Sequence, residues 1–317
     1  MKIIGTGSAL PALTVTNKML AGILDTSDEW ITTRTGIKQR QIMSTERLED
    51  LAANASLKAL EDAGIKAKDL DFIICSNVIS EYITPAMSCI VQGKIGADCP
   101  CIDLNGACAG FIYALDIAQA YFASDRVRHV LVLCAEEPTR MVDWKERSTC
   151  VLFGDGAGAV VLTKGDDVKA IRLSTQSNQQ TLYEHRKLYP TPYTQKEEVE
   201  CPLYMNGQEV FKMAVNASLN DIQGVIRESQ TTEDGVDHYL LHQANMRIIE
   251  QVRHQLKQDE HKFHHNIEKY GNTSSASIPI LLDELHRANT LKSGDTLVFS
   301  AFGAGFTTGA CLLKWSI

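Results

Sequence analysis

In the stretch Cys101-Ile102-Asp103-Leu104-Asn105-Gly106-Ala107-Cys108-Ala109-Gly110-Phe111 an apolar run gives way to a turn of small residues and then to an amphipathic pattern. Residues 101–104 read as a strand and residues from 108 to about 123 as a helix, so Cys108 stands where one becomes the other. That position reads as a nucleophile elbow. The positive end of the helix macrodipole and unpaired backbone N–H groups favour the thiolate over the thiol. Gly106, Ala107, Ala109 and Gly110 leave room for a substrate carbonyl to approach the sulfur. A structural reading stands beside this one, because free cysteine is among the most buried residue types.

The flanking sequence repeats a helix-strand rhythm. A helix over 48–63, closed by Gly64, precedes a strand over 71–76. A helix from 85 to about 94, the 101–104 strand, the Cys108 helix and a strand over 127–133 follow. Residues 127–133 are almost continuously apolar, as expected of a strand covered on both faces. The second half keeps the order, with a helix over 207–228, a strand over 236–241, helices over 244–256 and 275–286, and a strand over 295–300. The expected architecture is α/β: two similar halves, 1–170 and 171–317, packed as a five-layered αβαβα body with helices in the middle. Residues 175–204, rich in Gln, Tyr and Pro, read as an irregular lid-like loop opening the second half.

The 317 residues carry 31 Lys plus Arg against 39 Asp plus Glu, a net charge of −8 without long runs of one sign, which disfavours nucleic acid as a partner. The nine cysteines are odd in number and several sit in strand-like runs, so they read as reduced thiols in a cytoplasmic setting. Cys99-Pro100-Cys101 lacks a second pair at zinc spacing and reads as a loop entering a strand. Neither a signal peptide nor a membrane span is expected.

Four loops converge on one end of the predicted sheets. They hold Cys108, His242-Gln243-Ala244-Asn245, Gly271-Asn272-Thr273-Ser274 and Gly303-Ala304-Gly305, and open α/β sheets bind ligands at such strand ends. If the halves are related by a pseudo-twofold axis, Cys108 and the Asn272 segment should face each other across it. A Cys, a His and an Asn together permit two chemistries. His serves as base for Cys with Asn orienting the ring, as in a hydrolase, or Cys carries an acyl group while His and Asn stabilise an enolate. An amide presented to a cavity at a helix start suits the enolate role better, and the sequence leaves the choice open.

Seven further blocks extend the pattern: 2–8 (KIIGTGS), 25–31 (DTSDEWI), 33–37 (TRTGI), 152–159 (LFGDGAGA), 242–245 (HQAN), 270–274 (YGNTS) and 301–307 (AFGAGFT). With Ala107-Cys108-Ala109-Gly110-Phe111 they resemble the β-ketoacyl-acyl-carrier-protein synthase III family of thiolase-like condensing enzymes, over nearly the whole chain. The resemblance implies decarboxylative Claisen condensation of an acyl-CoA primer with malonyl-acyl-carrier protein, initiating fatty-acid synthesis, by a homodimer without metal or redox cofactor. It implies Cys108 as the acyl acceptor and His242 with Asn272 as the decarboxylation site. The N–H groups of Cys108 and Ala304 form the implied oxyanion hole, and Trp30, Arg34, Arg147 and Asn245 the coenzyme A site. The family usually has glycine at Ala304, and alanine disfavours positive φ.

The resemblance places Thr84, Phe211 and Phe302 at the acyl pocket, with Thr84 reaching across the dimer. Thr84 and Thr308 stand where bulkier aromatic residues are common, which implies primers larger than acetyl. Lys212 and Arg247 match a basic patch that receives the acidic carrier protein. Where the family often has paired lysines this chain has His254-Gln255, and Arg253 and Lys257 are expected to compensate. Three rival functions remain at this level: a secondary-pathway condensing enzyme or acyltransferase, a non-catalytic scaffold paired with an active homologue, and a cysteine hydrolase.

Some signals have plainer local readings. Trp30 packs the first helix, with Thr26 and Glu29 as a capping box. The glycines of 154–158 lead into a strand rather than a helix and read as a structural turn, not a dinucleotide fingerprint. His261, His264 and His265 read as a solvated loop or helix edge without a metal-ligand pattern.

Overall fold

The computed structural model of the protein describes residues 1–186, 191–193 and 202–317. Strands β1 (Lys2–Ala9), β2 (Phe72–Ser76), β3 (Cys101–Leu104), β4 (His129–Glu136) and β5 (Gly156–Thr163) form one sheet in the order β1-β5-β4-β2-β3. Strands β6 (Val168–Asn178), β7 (His238–Leu241), β8 (Phe263–His264), β9 (Thr296–Gly303) and β10 (Gly305–Lys314) form the other, in the order β6-β10-β9-β7-β8. Counted from its own first strand, each sheet runs first, fifth, fourth, second, third. Both begin with two antiparallel pairings and end with two parallel ones. The fold is therefore duplicated, as the repeated rhythm predicts.

Helices α1 (Leu48–Ala63) and α2 (Met87–Ile95) pack on the outside of the first sheet, against Ile73, Leu131 and Val161. Helices α4 (Gly207–Glu228) and α5 (Met246–Leu256) cover the outside of the second, against Tyr239, Val298 and Leu312. Between the sheets lie α3 (Gly110–Ala123) and α6 (Ser277–Arg287), in one apolar cluster that takes residues from both sheets. A middle-layer helix must be apolar on more than one face, and α3 buries Phe111, Ile112, Ala114, Leu115, Ala118 and Phe122. Phe111 meets Phe299 across this layer at a ring separation of 5.9 Å. Burying each such large side chain contributes ~1.5–3 kcal/mol.

The starts of α3 and α6 are near copies. Each follows a single 3-10 turn, Ala107–Ala109 and Ser274–Ala276. The residues before those turns, Gly106 (φ −109°, ψ 20°) and Thr273 (φ −95°, ψ 29°), share a conformation. The first turn residues, Ala107 (φ 48°) and Ser274 (φ 53°), are both left-handed. Asn105 Oδ1 accepts from Ala107 N at 3.1 Å and Asn272 Oδ1 accepts from Ser274 N at 2.9 Å. The repeat thus pairs Asn272 with Asn105 and sets Ser275, rather than Asn272, in the position equivalent to Cys108.

The irregular reading of 175–204 needs correction. β6 continues to Asn178, and Leu182–Tyr183 pairs antiparallel with Tyr204–Met205. A two-residue strand is too short to show a period of two, so the pattern was invisible. The rest of the expected lid lies largely outside the described residues. His264 also departs from expectation: it sits on β8, and its Nε2 meets His238 Nδ1 at 2.8 Å, with His238 Nε2 in turn 3.0 Å from Asp295. Burial lowers its pKa to about 4.

Candidate active site

Cys108, His242, Asn272, Ala304, Asn245, Phe211 and Phe302 all line one cavity of about 1150 Å³ at the strand ends. Cys108 stands on the 3-10 turn before α3, and its sulfur meets Ser274 Oγ, from the equivalent turn before α6, at 3.4 Å. Gly303 lets the end of β9 pack against the elbow, since a Cβ there would fall 2.5 Å from Cys108 N. Thr307 Oγ1 donates to the carbonyl of Gly106 at 2.8 Å and lies 3.2 Å from that of Ala304, tying the β9-β10 turn to the elbow. Ala304 is not one of the residues with positive φ, so its methyl group meets no left-handed penalty.

Burial pushes the Cys108 thiol up to about 12, with the nearby Glu136 carboxylate adding to the rise. This runs against the expectation that the turn favours the thiolate. The interior of a five-layered body desolvates the charged sulfur more than a one-turn dipole and the Ser274 hydroxyl stabilise it. Acylation must therefore remove a proton.

His242 follows β7, and its backbone N–H donates to Ser300 on β9 at 2.8 Å. Its Nδ1 lies 2.8 Å from Ser277 Oγ, and the Gln243 N–H donates to the same oxygen at 3.3 Å. When the serine's own proton is directed to Nδ1, the ring hydrogen sits on Nε2. Burial lowers the ring's pKa to about 3, so His242 is neutral. Phe302 packs edge-on against it at 5.3 Å.

Asn272 is held from both sides. Its N–H donates to Leu152 O at 2.8 Å and its carbonyl accepts from Gly154 N at 3.1 Å. With Oδ1 engaged by Ser274 N, the amide's donor end is left for the cavity it lines. The glycine-rich 154–158 segment, read as a plain turn, is thus also a clamp on Asn272. A Cβ at Gly154 would come within 2.1 Å of Tyr270 O.

Of the coenzyme A candidates, Trp30, Arg34 and Arg147 form a separate group at the surface, and Asn245 joins them to the cavity it lines. The Trp30 ring carries the guanidinium of Arg34 at 4.5 Å and that of Arg147 at 5.1 Å, and Arg147 also bonds to the Asp25 carbonyl and, at 3.2 Å, to its carboxylate. Asn245 is committed locally: Oδ1 accepts from Arg247 N at 2.9 Å and Nδ2 donates to Arg34 O at 3.1 Å. The capping box of Thr26 and Glu29 is not formed. The chain stays extended through Ser27, whose Oγ accepts from Trp30 N at 3.0 Å, and Thr26 Oγ1 is buried without a partner.

Two expectations about the rim change. Thr84 is exposed and does not line this chain's own cavity, which leaves the expectation that it reaches across a dimer as it was. Thr308 is buried beneath α4, where its hydroxyl reaches Asp221, and it too is off the cavity wall, because residue 308 faces away from the lining residue Thr307. Arg253 cannot compensate for missing lysines, being bound to Glu250 at 2.7 Å and to the Gln258 carbonyl at 3.2 Å. Lys212, Arg247 and Lys257 are exposed, and Arg247 lies 6.0 Å over the ring of Phe211.

Ser274, Ser277, Thr307 and Asn105 escaped notice as site residues. Ser274 and Thr307 stood within quoted motifs and Asn105 within the stretch around Cys108, but their contacts, and Ser277 altogether, become visible only once strands and helices from both halves are brought together.

Residues 102–180 match the family described as 3-oxoacyl-[acyl-carrier-protein] synthase III, and residues 226–315 match its C-terminal counterpart. A β-ketoacyl-[acyl-carrier-protein] synthase III from Clostridium acetobutylicum is 42% identical, covering 100% of this chain and 99% of its own. The chain belongs to the β-ketoacyl-acyl-carrier-protein synthase III family. A crystal structure of the synthase III from Aquifex aeolicus shares 40% identity at a TM-score of 0.93, covering 99% of each chain. The priming β-ketosynthase of the R1128 polyketide pathway shares 33% at 0.93, covering 99% of this chain and 96% of its own. As a synthase III, the chain is an acyltransferase-type condensing enzyme with the thiolase-like fold. No helix among the described residues is long and apolar enough to cross a membrane.

Proposed function

We propose that this synthase III joins an acyl-CoA primer to malonyl-acyl-carrier protein, with Cys108 holding the electrophile and His242 and Asn272 generating the carbon nucleophile. The observation that carries the division is the pair of polar groups at the cavity: a neutral His242 whose Nδ1 is engaged by Ser277, so that Nε2 faces the substrate and donates when it holds the ring hydrogen, and an Asn272 amide with only its donor end free. Neither is equipped to act as a strong base, and two neutral donors suit an enolate oxygen.

In the first half-reaction the Cys108 sulfur attacks the primer thioester, the Cys108 and Ala304 N–H groups hold the tetrahedral oxyanion, and coenzyme A departs. In the second, malonyl thioester loses carbon dioxide, and the electron pair left behind is delocalised onto the thioester oxygen between His242 and Asn272. Each oriented donor is worth ~3 kcal/mol to such a charge. The enolate carbon attacks the Cys108 thioester, and collapse expels the cysteine sulfur and leaves a β-ketoacyl-acyl-carrier protein.

On this reading residues 1–170 bring the nucleophile and 171–317 the enolate site, and no metal or redox cofactor takes part. Trp30, Arg34 and Arg147 receive the nucleotide of coenzyme A, with Arg147 leaving its contact on Trp30 to admit the adenine. Lys212 and Arg247 receive the carrier protein. The enzyme works as a cytoplasmic homodimer. Edge strand β3 exposes Ile102, and Tyr82 and Ile83 before α2 are exposed as well, an apolar surface that supports a partner there. Incubation with a panel of acyl-CoAs, intact-mass analysis and then addition of malonyl-acyl-carrier protein tests the whole. A covalent adduct without carbon–carbon bond formation would contradict it.

A further inference from the structure

Glu136 closes β4 with a carboxyl group that is 1% exposed. It accepts from Ser275 Oγ at 2.5 Å and from Val78 N at 3.2 Å, and the Ser274 hydroxyl also interacts with it. Ser275 is in turn met by Ser76 Oγ at 2.9 Å. A row of hydroxyls so placed, one step from the reactive sulfur, exceeds what anchoring a strand end requires. Burying a lone carboxylate is costly unless its proton can be held there.

We propose that Glu136, acting through the Ser274 hydroxyl, is a positioning residue that takes up the Cys108 proton as the primer is transferred. The inference rests on the reading of Cys108 as the acyl acceptor. As the Cys108 S–C bond forms, the S–H bond breaks and its proton passes to Ser274 Oγ, whose own proton passes to Glu136. As coenzyme A departs, Glu136 returns its proton to Ser274 Oγ and the Ser274 hydroxyl proton passes to the coenzyme A sulfur, so acyl-CoA and thiol become acyl-enzyme and coenzyme A thiol with nothing left over.

His242 is poorly matched to the task, since burial holds it at about 3, whereas burial raises Glu136 to about 7. The titratable groups that feel Glu136 are the thiols of Cys75 on β2, Cys108 on the elbow turn and Cys134 on β4 itself, all with pKa values raised by burial. Its hydrogen-bonding neighbours are neutral.

Single-turnover acylation by acyl-CoA, followed by intact mass across pH, tests this. The unsubstituted enzyme should show a rate that climbs through a limb near pH 7. Glu136→Gln should lose the limb and at least about tenfold in rate at pH 8, and Glu136→Asp should recover the limb. A charge that merely perturbs the thiol predicts the opposite sign, because its removal lowers the thiol pKa and quickens acylation. Ser274→Ala leaves the buried carboxyl in place and should also lose the limb, which keeps the test alive should Glu136→Gln fail to fold. Glu136→Gln or Ser274→Ala retaining both limb and rate overturns the inference. Failure of the unsubstituted enzyme to form any adduct would instead remove the proposed function itself.

Discussion

Ser275 holds in the second half the place that Cys108 holds in the first, each the second residue of a 3-10 turn entered through a left-handed residue, Ala107 at φ 48° and Ser274 at φ 53°. The duplicated turn explains why two helix starts meet at one point with a 3.4 Å contact between Cys108 and Ser274. A branched side chain cannot adopt this conformation without strain. Ala107→Val should cost ~1–2 kcal/mol of stability and slow acylation of Cys108, whereas Ala107→Gly should be tolerated. Chemical denaturation with single-turnover acylation checks both.

The clamp on Asn272 predicts a separation of functions. A Cβ at Gly154 collides with the Tyr270 carbonyl, so Gly154→Ala should displace Asn272 while leaving the Cys108 elbow intact. The expected variant forms the acyl adduct and fails to condense, as read by intact mass and product formation.

Arg40 is fully buried, its guanidinium donating to the carbonyls of Val15 at 3.2 Å and Val151 at 2.7 Å and to Asn17 Oδ1 at 2.8 Å. It pins the segment before the Asn272 clamp to the antiparallel strand pair Leu13–Thr16 and Gln39–Ile42. Arg40→Ala strands buried acceptors, each costing ~1–3 kcal/mol, and should lower the unfolding free energy by several kcal/mol in total, read by chemical denaturation.

Stability should also follow pH in a definite sense. Burial holds Glu136 and Asp155 up at about 7 and about 6, so the folded chain keeps protons that the unfolded chain releases. Their contribution is full below the unfolded carboxyl values, 4.5 and 3.8, and is lost as pH rises through about 7. The difference in Tm, Glu136→Gln minus unsubstituted, should therefore become more positive between about pH 5 and about pH 8. His242 and His264 act in the other direction: held at about 3 and about 4, they destabilise the fold as pH falls below the unfolded value of 6.5.

Much of this was legible in the sequence where a signal was long or local. The 22-residue helix Gly207–Glu228 has the predicted bounds, and β3 and α1 begin and end where their apolar patterns do. The joint placement of Cys108, His242 and Asn272 followed from strand-end logic and from family motifs. Three kinds of feature were hidden. Two-residue strands such as Leu182–Tyr183 have no readable period. Burial of Cys108 reverses the charge state its helix position suggested, and burial is a property of all five layers together. Glu136 had a faint signal, a carboxylate ending an apolar strand, but its link to Cys108 runs through Ser274, 138 positions further along the chain.

The roles of sulfur and amide separate in two variants studied by intact-mass spectrometry, exposed first to acyl-CoA and then to malonyl-acyl-carrier protein. Cys108→Ser should take no acyl group. Asn272→Ala should carry the full acyl adduct and keep it when malonyl-acyl-carrier protein arrives, with no β-ketoacyl product. Condensation by Asn272→Ala at the unsubstituted rate would contradict the division of labour between Cys108 and the His242–Asn272 pair.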